Sequence, residues 1–107
     1  MPARKLIKVV LLCRSRKRGK KMTALIEERG RLRSVHFGAV GYSDYTLHRD
    51  RARMERYLIR HRRREDWSLG GIFSPGFWSR WVLWNKPSLR ASVQDIRRRF
   101  GIRVTLV

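Results

Sequence analysis

Acidic residues and cysteine are scarce in this sequence. Its 107 residues include 8 Asp and Glu against 27 Lys and Arg, which gives a formal net charge of +19 at pH 7. Cys13 is the only cysteine, so an internal disulfide is excluded and a reducing intracellular compartment is favoured. The histidines His36, His48 and His61 lack the spacing of metal ligands, and one cysteine cannot complete a zinc site. We therefore predict no metal and no other cofactor.

Long hydrophobic runs are also missing. The apolar run Val9–Cys13 is far shorter than the roughly 20 residues that a membrane-spanning helix needs. Lys8 precedes this run, and basic residues follow from Arg14, where an export signal would have a small-residue cleavage site. We therefore expect no membrane span and no secretion.

Motifs that carry catalysis are lacking as well. The sequence contains no Walker loop and no strained nucleophile turn. Ser43, Asp44 and His48 could be combined into a catalytic set, but Ser43 and Asp44 are equally good helix caps. Carboxylates flanked by arginine are held ionised and do not serve as proton donors. We predict a binding protein with no enzymatic activity and no small-molecule substrate.

The composition that remains predicts a folded basic domain. A hydrophobic fraction of 42% is ordinary for a folded protein, so the charge surrounds a core and does not replace it. The length suits one domain, residues 1–107. A compact chain of this charge repels itself and is stabilised by an anionic partner. Nucleic acid, DNA or RNA, is the commonest such partner because phosphate contacts release condensed counterions, with acidic proteins and anionic lipids as alternatives.

The first forty residues predict an antiparallel meander. Runs of Leu, Ile and Val bounded by turn signals indicate three strands, at Leu6–Leu12, Met22–Glu28 and Leu32–Val40. A basic hairpin loop, Arg14–Lys21, contains Gly19, which permits positive φ. Arg29–Gly30 is a tight-turn signal.

The rest of the chain predicts helices and a last strand. Helices are expected at about Leu47–Arg64, at Phe77–Trp84 with its start at Ser74–Pro75, and at Leu89–Phe100 between Ser88 and Gly101. Ile102–Val107 alternates with period two and predicts a strand that joins the meander. The expected fold class is α+β, a small antiparallel sheet with about three helices packed on one face.

Two basic segments are candidate polyanion-binding sites. The hairpin loop could lie along a phosphate backbone through Arg14, Arg16, Lys17, Arg18, Lys20 and Lys21, or it could be a solvated, disordered turn. The first long helix offers Arg53, Arg56, Arg60, Arg63 and Arg64. An ordinary exposed helix face mixes charges of both signs and this one mostly does not, so we predict that both segments bind a polyanion.

Six aromatic residues cluster after the first long helix, at Trp67, Phe73, Phe77, Trp78, Trp81 and Trp84. A domain of this size needs large rings for its core, which is the favoured interpretation. The alternatives are a patch that docks another protein, with Trp78, Trp81 and Trp84 as its candidate residues, or a platform for base stacking.

Two distinctive strings, HFGAVGYSDYTLHRD and FWSRWVLWNKPS, lie within residues 35–102. This stretch resembles a family of small basic uncharacterised proteins of large double-stranded DNA viruses of algae and amoebae. The resemblance implies a virus-associated protein, located in the virion or in the host cytoplasm or nucleus, and it carries over no functional residue.

Two hypotheses follow for the function. In the first, the chain is a structural protein of a large viral particle, a minor capsid or internal component that binds acidic viral proteins or packaged nucleic acid. In the second, it is a free nucleic-acid-binding module that contacts phosphates without sequence specificity.

Overall fold

The computed structural model describes residues 7–107, in which four strands form one sheet. The strands are β1 (Ile7–Arg14), β2 (Lys20–Glu28), β3 (Arg31–Ala39) and β4 (Val104–Leu106), in the spatial order β3-β2-β1-β4. Leu6, where the first strand was expected to begin, lies outside the described residues.

The predicted meander is confirmed. β1 pairs antiparallel with β2, and β2 pairs antiparallel with β3. Arg29 and Gly30 join β2 to β3 with φ values of 52° and 77°, as a two-residue turn with two positive φ angles requires. Alternate residues of the three strands point into the core, at Val10, Leu12, Met22, Ala24, Ile26, Val35 and Phe37.

The last strand corrects the expected sheet. β4 pairs with β1 in parallel, with Val10 opposite Val104, so the sheet is mixed and not wholly antiparallel. The helical segment between β3 and β4 returns the chain to the same end of the sheet at which β1 begins. Period-two alternation identifies a strand but contains no signal for its direction, which explains the error.

The first predicted helix is divided into two. α1 (Tyr45–His48) and α2 (Arg51–His61) are separated by Arg49, which has a left-handed φ of 56°. Asp44 caps α1 by accepting from the Thr46 N–H, and Asp50 caps α2 by accepting from the N–H groups of Ala52 and Arg53. Two capping residues in one short segment therefore start two helices.

The remaining helices follow their predicted caps. α3 (Pro75–Trp78) starts at Ser74, and α4 (Leu89–Phe100) runs from Ser88 to Gly101, whose φ is 65°. The segment Ser79–Leu83 continues α3 as a wider π-helical turn, closed by the Trp84 N–H donating to the Ser79 carbonyl. This five-residue segment is too short to show a period from which that widening could be predicted.

The helices pack on one face of the sheet, as expected for the α+β class. Their buried residues join the sheet residues in one core, to which the helical part contributes Ile72, Phe77, Trp78, Trp81, Val82, Leu83, Val93 and Ile96. A short 3₁₀ turn, Leu69–Gly71, leads into this layer, and a side chain at Gly71 would clash with the carbonyl oxygen of Asp66. Across residues 7–107, no helix has the length and apolar character to span a membrane.

Candidate polyanion-binding surface

The turn of the β1–β2 hairpin carries adjacent exposed cations. Arg16, Lys17 and Arg18 lie in the turn and are exposed, while Arg14 is exposed at the end of β1 and Lys20 is partly exposed at the start of β2. The turn has a defined backbone, because the Lys20 N–H donates to the Lys17 carbonyl (3.1 Å). The Ser15 N–H also donates to the Lys21 carbonyl (3.0 Å), so backbone hydrogen bonds close the turn.

A polar cluster fixes the base of this hairpin. The Thr23 hydroxyl oxygen lies 2.8 Å from His36 Nδ1 and 2.9 Å from Ser15 Oγ. Ser15 Oγ also accepts from the Lys17 backbone N–H at 3.1 Å. The cluster joins β2 and β3 to Ser15 in the turn, so the basic side chains start from a constrained backbone.

α2 presents an arginine stripe along one flank, which we define as Arg53, Arg56 and Arg60. Their spacing of three and four residues puts them on one side of the helix, beside Tyr57, whose exposed fraction is 8%. All three arginines are exposed, and Arg63 and Arg64 follow in the exposed segment after the helix. Among residues 7–107, no carboxylate lies within salt-bridge distance of these five guanidinium groups.

The hairpin and α2 meet at one groove of about 520 Å³. Lys20 and Lys21 line it from the sheet, and Arg53 and Arg60 line it from α2. The groove therefore takes residues from both basic segments that the sequence singled out, although Arg16, Lys17, Arg18 and Arg56 do not line it. We use the term basic surface for the groove together with the hairpin turn and the arginine stripe.

Lys21 differs from the other predicted polyanion-binding residues. Its Nζ donates to Asp44 Oδ2 at 2.7 Å, and its side chain is 18% exposed. Asp44 is the N-cap of α1, so this ion pair ties the start of α1 to β2. The Lys21 charge is already compensated within the domain, and we remove this residue from the candidate set for that reason.

An aromatic column forms the floor of the groove. The Tyr57 ring stacks on His61 (centroids 4.1 Å apart) and on Trp84 (4.2 Å, 3° between planes), and Trp84 packs on His48 at 5.4 Å. Burial, followed by the nearby Glu65 charge, raises the pKa of the Tyr57 hydroxyl, so the ring stays neutral. Sequence analysis did not identify this column, because its members come from three separate helical segments.

Both carboxylates that line the groove have partners within the domain. Asp44 is paired with Lys21, and Glu65 accepts from Trp67 Nε1 (2.9 Å) and lies 3.0 Å from His61 Nδ1. Four lysine and arginine side chains therefore face two carboxylates in this groove. The lysine and arginine side chains of the groove therefore outnumber its carboxylates.

Trp78 and Trp81 belong to the core and not to a docking patch. Their exposed fractions are 0% and 7%, and their indole N–H groups donate to the carbonyls of Ile72 (2.6 Å) and Trp67 (2.9 Å). Trp84 is partly buried, with one face covered by Tyr57. The prediction that these tryptophans dock a partner is corrected for Trp78 and Trp81, because both side chains are enclosed by the domain.

Three of the four arginines of α4 form contacts within the domain. Arg98 and Arg99 donate to the two carboxylate oxygens of Asp95 at 2.8 and 3.1 Å, and Arg97 Nε donates to the Val104 carbonyl at 2.6 Å. Burial raises the pKa of Asp95, but hydrogen bonds from Asn85, Arg98 and Arg99 outweigh it and lower that pKa to about 2. Arg97 therefore joins α4 to β4, while Arg98 and Arg99 bind the buried carboxylate of their own helix.

Arg80 also has a structural role. Its guanidinium lies over the Trp81 ring at 4.2 Å and donates to the Trp84 carbonyl at 2.8 Å. Burial, followed by repulsion from Arg99, lowers the pKa of Arg80 to about 10, so it remains charged near neutral pH. The hydrogen bond from Arg80 to Trp84 therefore caps the C-terminal end of the π-helical turn.

Comparison with known proteins gives one match. A family model described as a family of unknown function (DUF5754) matches residues 10–61. No curated protein and no solved structure matches the chain. The matched stretch runs from β1 to the end of α2, so it includes the hairpin and the arginine stripe and leaves out Trp84 and α4.

Proposed function

We propose that this protein is a non-enzymatic basic component of a large viral particle that binds packaged nucleic acid through the basic surface. The observation that supports the proposal most directly is the set of exposed arginines on α2 that have no carboxylate partner in the described structure, two of which, Arg53 and Arg60, line one groove together with Lys20. A formal charge of +19 opposes compactness, and phosphate contacts relieve that repulsion while releasing counterions.

The dimensions of the arginine stripe suit a phosphate backbone. Arg53 and Arg60 are seven residues apart on a helix, which corresponds to about 10 Å along its axis. Phosphates on one strand of a duplex are about 3.4 Å apart along the axis, so the stripe extends over roughly three of them. Such contacts are made to the backbone and leave the base sequence unread.

The virion assignment rests on the resemblance of the strings HFGAVGYSDYTLHRD and FWSRWVLWNKPS to proteins of large DNA viruses. The second candidate is a free nucleic-acid-binding module. It is favoured by the burial of Trp78 and Trp81, because this burial removes the apolar patch through which a cement protein would hold its neighbours.

The binding half of the proposal is tested by titrating nucleic acid at several salt concentrations. Replacing Arg16, Lys17 and Arg18 with Ala is expected to reduce the salt slope by about 0.9 per lost phosphate contact. The matched control, Arg29→Gly with Arg31→Ala and Arg103→Ala, removes three exposed cations outside the hairpin turn and the groove. An unchanged slope in the hairpin variant would show that this turn does not contact phosphates.

The virion half needs a separate measurement. Mass spectrometry of purified particles is expected to find the protein at a fixed ratio to the major capsid protein. If the protein is absent from the particles but binds nucleic acid in a salt-dependent way in solution, the free nucleic-acid-binding module is the correct hypothesis. Binding of acidic viral protein but not of nucleic acid would assign the basic surface to a protein partner.

A further inference from the structure

We infer that the groove of the basic surface binds single-stranded nucleic acid, with one unpaired base stacked on Tyr42. The inference rests on the proposed function, because it names the form of nucleic acid that this same surface binds. It depends on Tyr42, which sequence analysis did not single out.

Tyr42 is an exposed aromatic ring in a cationic groove. Its exposed fraction is 74%, and it lines the groove together with Lys20 and Arg53. Its N–H donates to the Ala39 carbonyl at 3.3 Å, and Gly41 before it has a φ of 93°, so a turn after β3 carries the ring. A ring this exposed contributes little to the core, whereas a basic groove with accessible aromatic faces is the usual arrangement in single-strand binding proteins.

The stacking surface is specific to Tyr42. Both faces of Tyr57 are covered, by His61 and Trp84, so the aromatic column cannot accept a base between its rings. The column instead gives the groove a rigid apolar floor, while the Tyr42 ring stands largely free of other side chains. Among the rings that line the groove, Tyr42 is the most exposed.

An unpaired strand fits this arrangement better than a duplex. Bases inside a duplex stack on their neighbours, so they have no free face to offer to Tyr42. The groove volume of about 520 Å³ lies within the range of clefts that enclose a ligand-sized group. With a base on Tyr42, the adjoining phosphates can reach Lys20, Arg53 and Arg60, the groove cations with no carboxylate within salt-bridge distance in the described chain.

The test compares Tyr42→Ala, Tyr42→Phe and the control Ile59→Ala. Ile59 is 63% exposed on α2 and does not line the groove, so its loss removes a similar exposed apolar area elsewhere. The probes are labelled oligothymidylate, oligouridylate and a mixed-sequence DNA duplex of equal length. Thermal unfolding confirms that each variant is folded.

Tyr42→Ala is expected to weaken single-strand binding by about 5- to 150-fold, because stacking on one aromatic ring contributes that much affinity. Tyr42→Phe keeps the ring and is expected to bind as the wild type does. The salt slope is expected to stay the same in both variants, since stacking releases no counterions, and duplex affinity is expected to change less than twofold. The two single-stranded probes separate a preference for DNA from a preference for RNA.

The outcomes distinguish the inference from the proposed function. If Tyr42→Ala leaves single-strand affinity unchanged, or lowers single-strand and duplex affinity equally, the stacking inference is wrong while salt-dependent binding still supports the proposed function. If the wild-type protein binds no nucleic acid at low salt, the proposed function itself fails. Equally tight, Tyr42-dependent binding of polyglutamate would replace nucleic acid with an acidic protein as the partner.

Discussion

The two long helices, α2 and α4, are nearly equal in length and similarly rich in arginine, yet their arginines have different roles. In α4, Arg97, Arg98 and Arg99 all donate hydrogen bonds within the domain. In α2, the arginine stripe has no carboxylate within salt-bridge distance in the described structure and faces the solvent. Similar composition therefore gives a structural element in one helix and a candidate binding surface in the other.

The position of the carboxylate accounts for this difference. Asp95 lies on the buried side of α4, where its side chain is 2% exposed and accepts hydrogen bonds from the guanidinium groups of Arg98 and Arg99. Glu55 lies on the outer side of α2, where its side chain is 61% exposed and its contact with Arg51 is long, at 3.6 Å. An exposed pair of this kind contributes little, whereas hydrogen bonds to a buried carboxylate hold the fold. The number of arginines alone does not indicate how much positive charge is available to a partner.

The different roles of the arginines in α2 and α4 are tested most directly by removing three charges from each helix in turn. Changing Arg53, Arg56 and Arg60 of α2 to Gln is expected to weaken nucleic-acid binding by roughly a few hundred-fold at about 0.1 M salt, since three phosphate contacts are lost. Changing Arg97, Arg98 and Arg99 of α4 to Gln is expected to destabilise the protein and to alter the salt slope much less. Fluorescence anisotropy across a salt series measures both variants.

Equal losses of affinity in the two triple variants would show that only the overall charge matters. A denaturant titration of the same proteins supplies the complementary measurement. The free energy of unfolding is expected to fall for the α4 variant and to be unchanged or higher for the α2 variant, because removing unpaired charge reduces self-repulsion.

The next largest effect is expected at Asp95. Asp95→Asn is expected to lower the free energy of unfolding by about 1.5–3 kcal/mol, because charged hydrogen bonds to a buried group are weakened. The matched change Glu55→Gln on α2 is expected to cost less than about 0.5 kcal/mol. Urea unfolding of both variants at neutral pH measures the difference, and similar losses would contradict the distinction between the two helices.

Much of the fold could be predicted from local signals. Features that depend only on neighbouring residues appear as patterns in the sequence. They include the alternation in β2 and β3, the turn at Arg29–Gly30 and the caps Ser88 and Gly101. The break at Arg49, the π-helical turn and the parallel pairing of β4 were missed. The π-helical turn and the pairing of β4 depend on how the helical layer covers the sheet, which no short stretch of sequence encodes. The break at Arg49 instead follows from a second local cap, Asp50.

The candidate site shows the same division. The basic residues of the hairpin and α2 could be identified by composition, since no carboxylate interrupts the hairpin loop and few interrupt the helix. Lys21 could not be separated from its neighbours, because its partner Asp44 is 23 positions away in the chain. Tyr42 was missed for a related reason, as sequence does not distinguish an exposed aromatic ring from a buried one.

The smallest effect is expected from pH, at His48, where α1 meets the aromatic column. The Asp50 N–H donates to His48 Nδ1 at 2.8 Å, and Nε2 is buried with no hydrogen-bond partner in the described structure. Burial, followed by repulsion from Arg53 and Lys21, lowers the pKa of His48 below 6.5, although Asp50 and Asp44 oppose this. The neutral ring is therefore the form that the fold favours.

A lowered histidine pKa means that the unfolded chain binds more protons below pH 6.5, so the contribution of neutral His48 is complete above that value and decreases as the pH falls. Asp95 stays ionised through this range because its pKa is about 2. We expect the free energy of unfolding to decrease between about pH 7 and pH 5 in the wild type, and less so in His48→Gln. Arg53→Gln is expected to reduce the decrease as well, because it removes the repulsion that an unpaired arginine of α2 exerts on the ring. An identical pH profile in all three proteins would show that the stripe is too far from His48, or too well screened, to affect it.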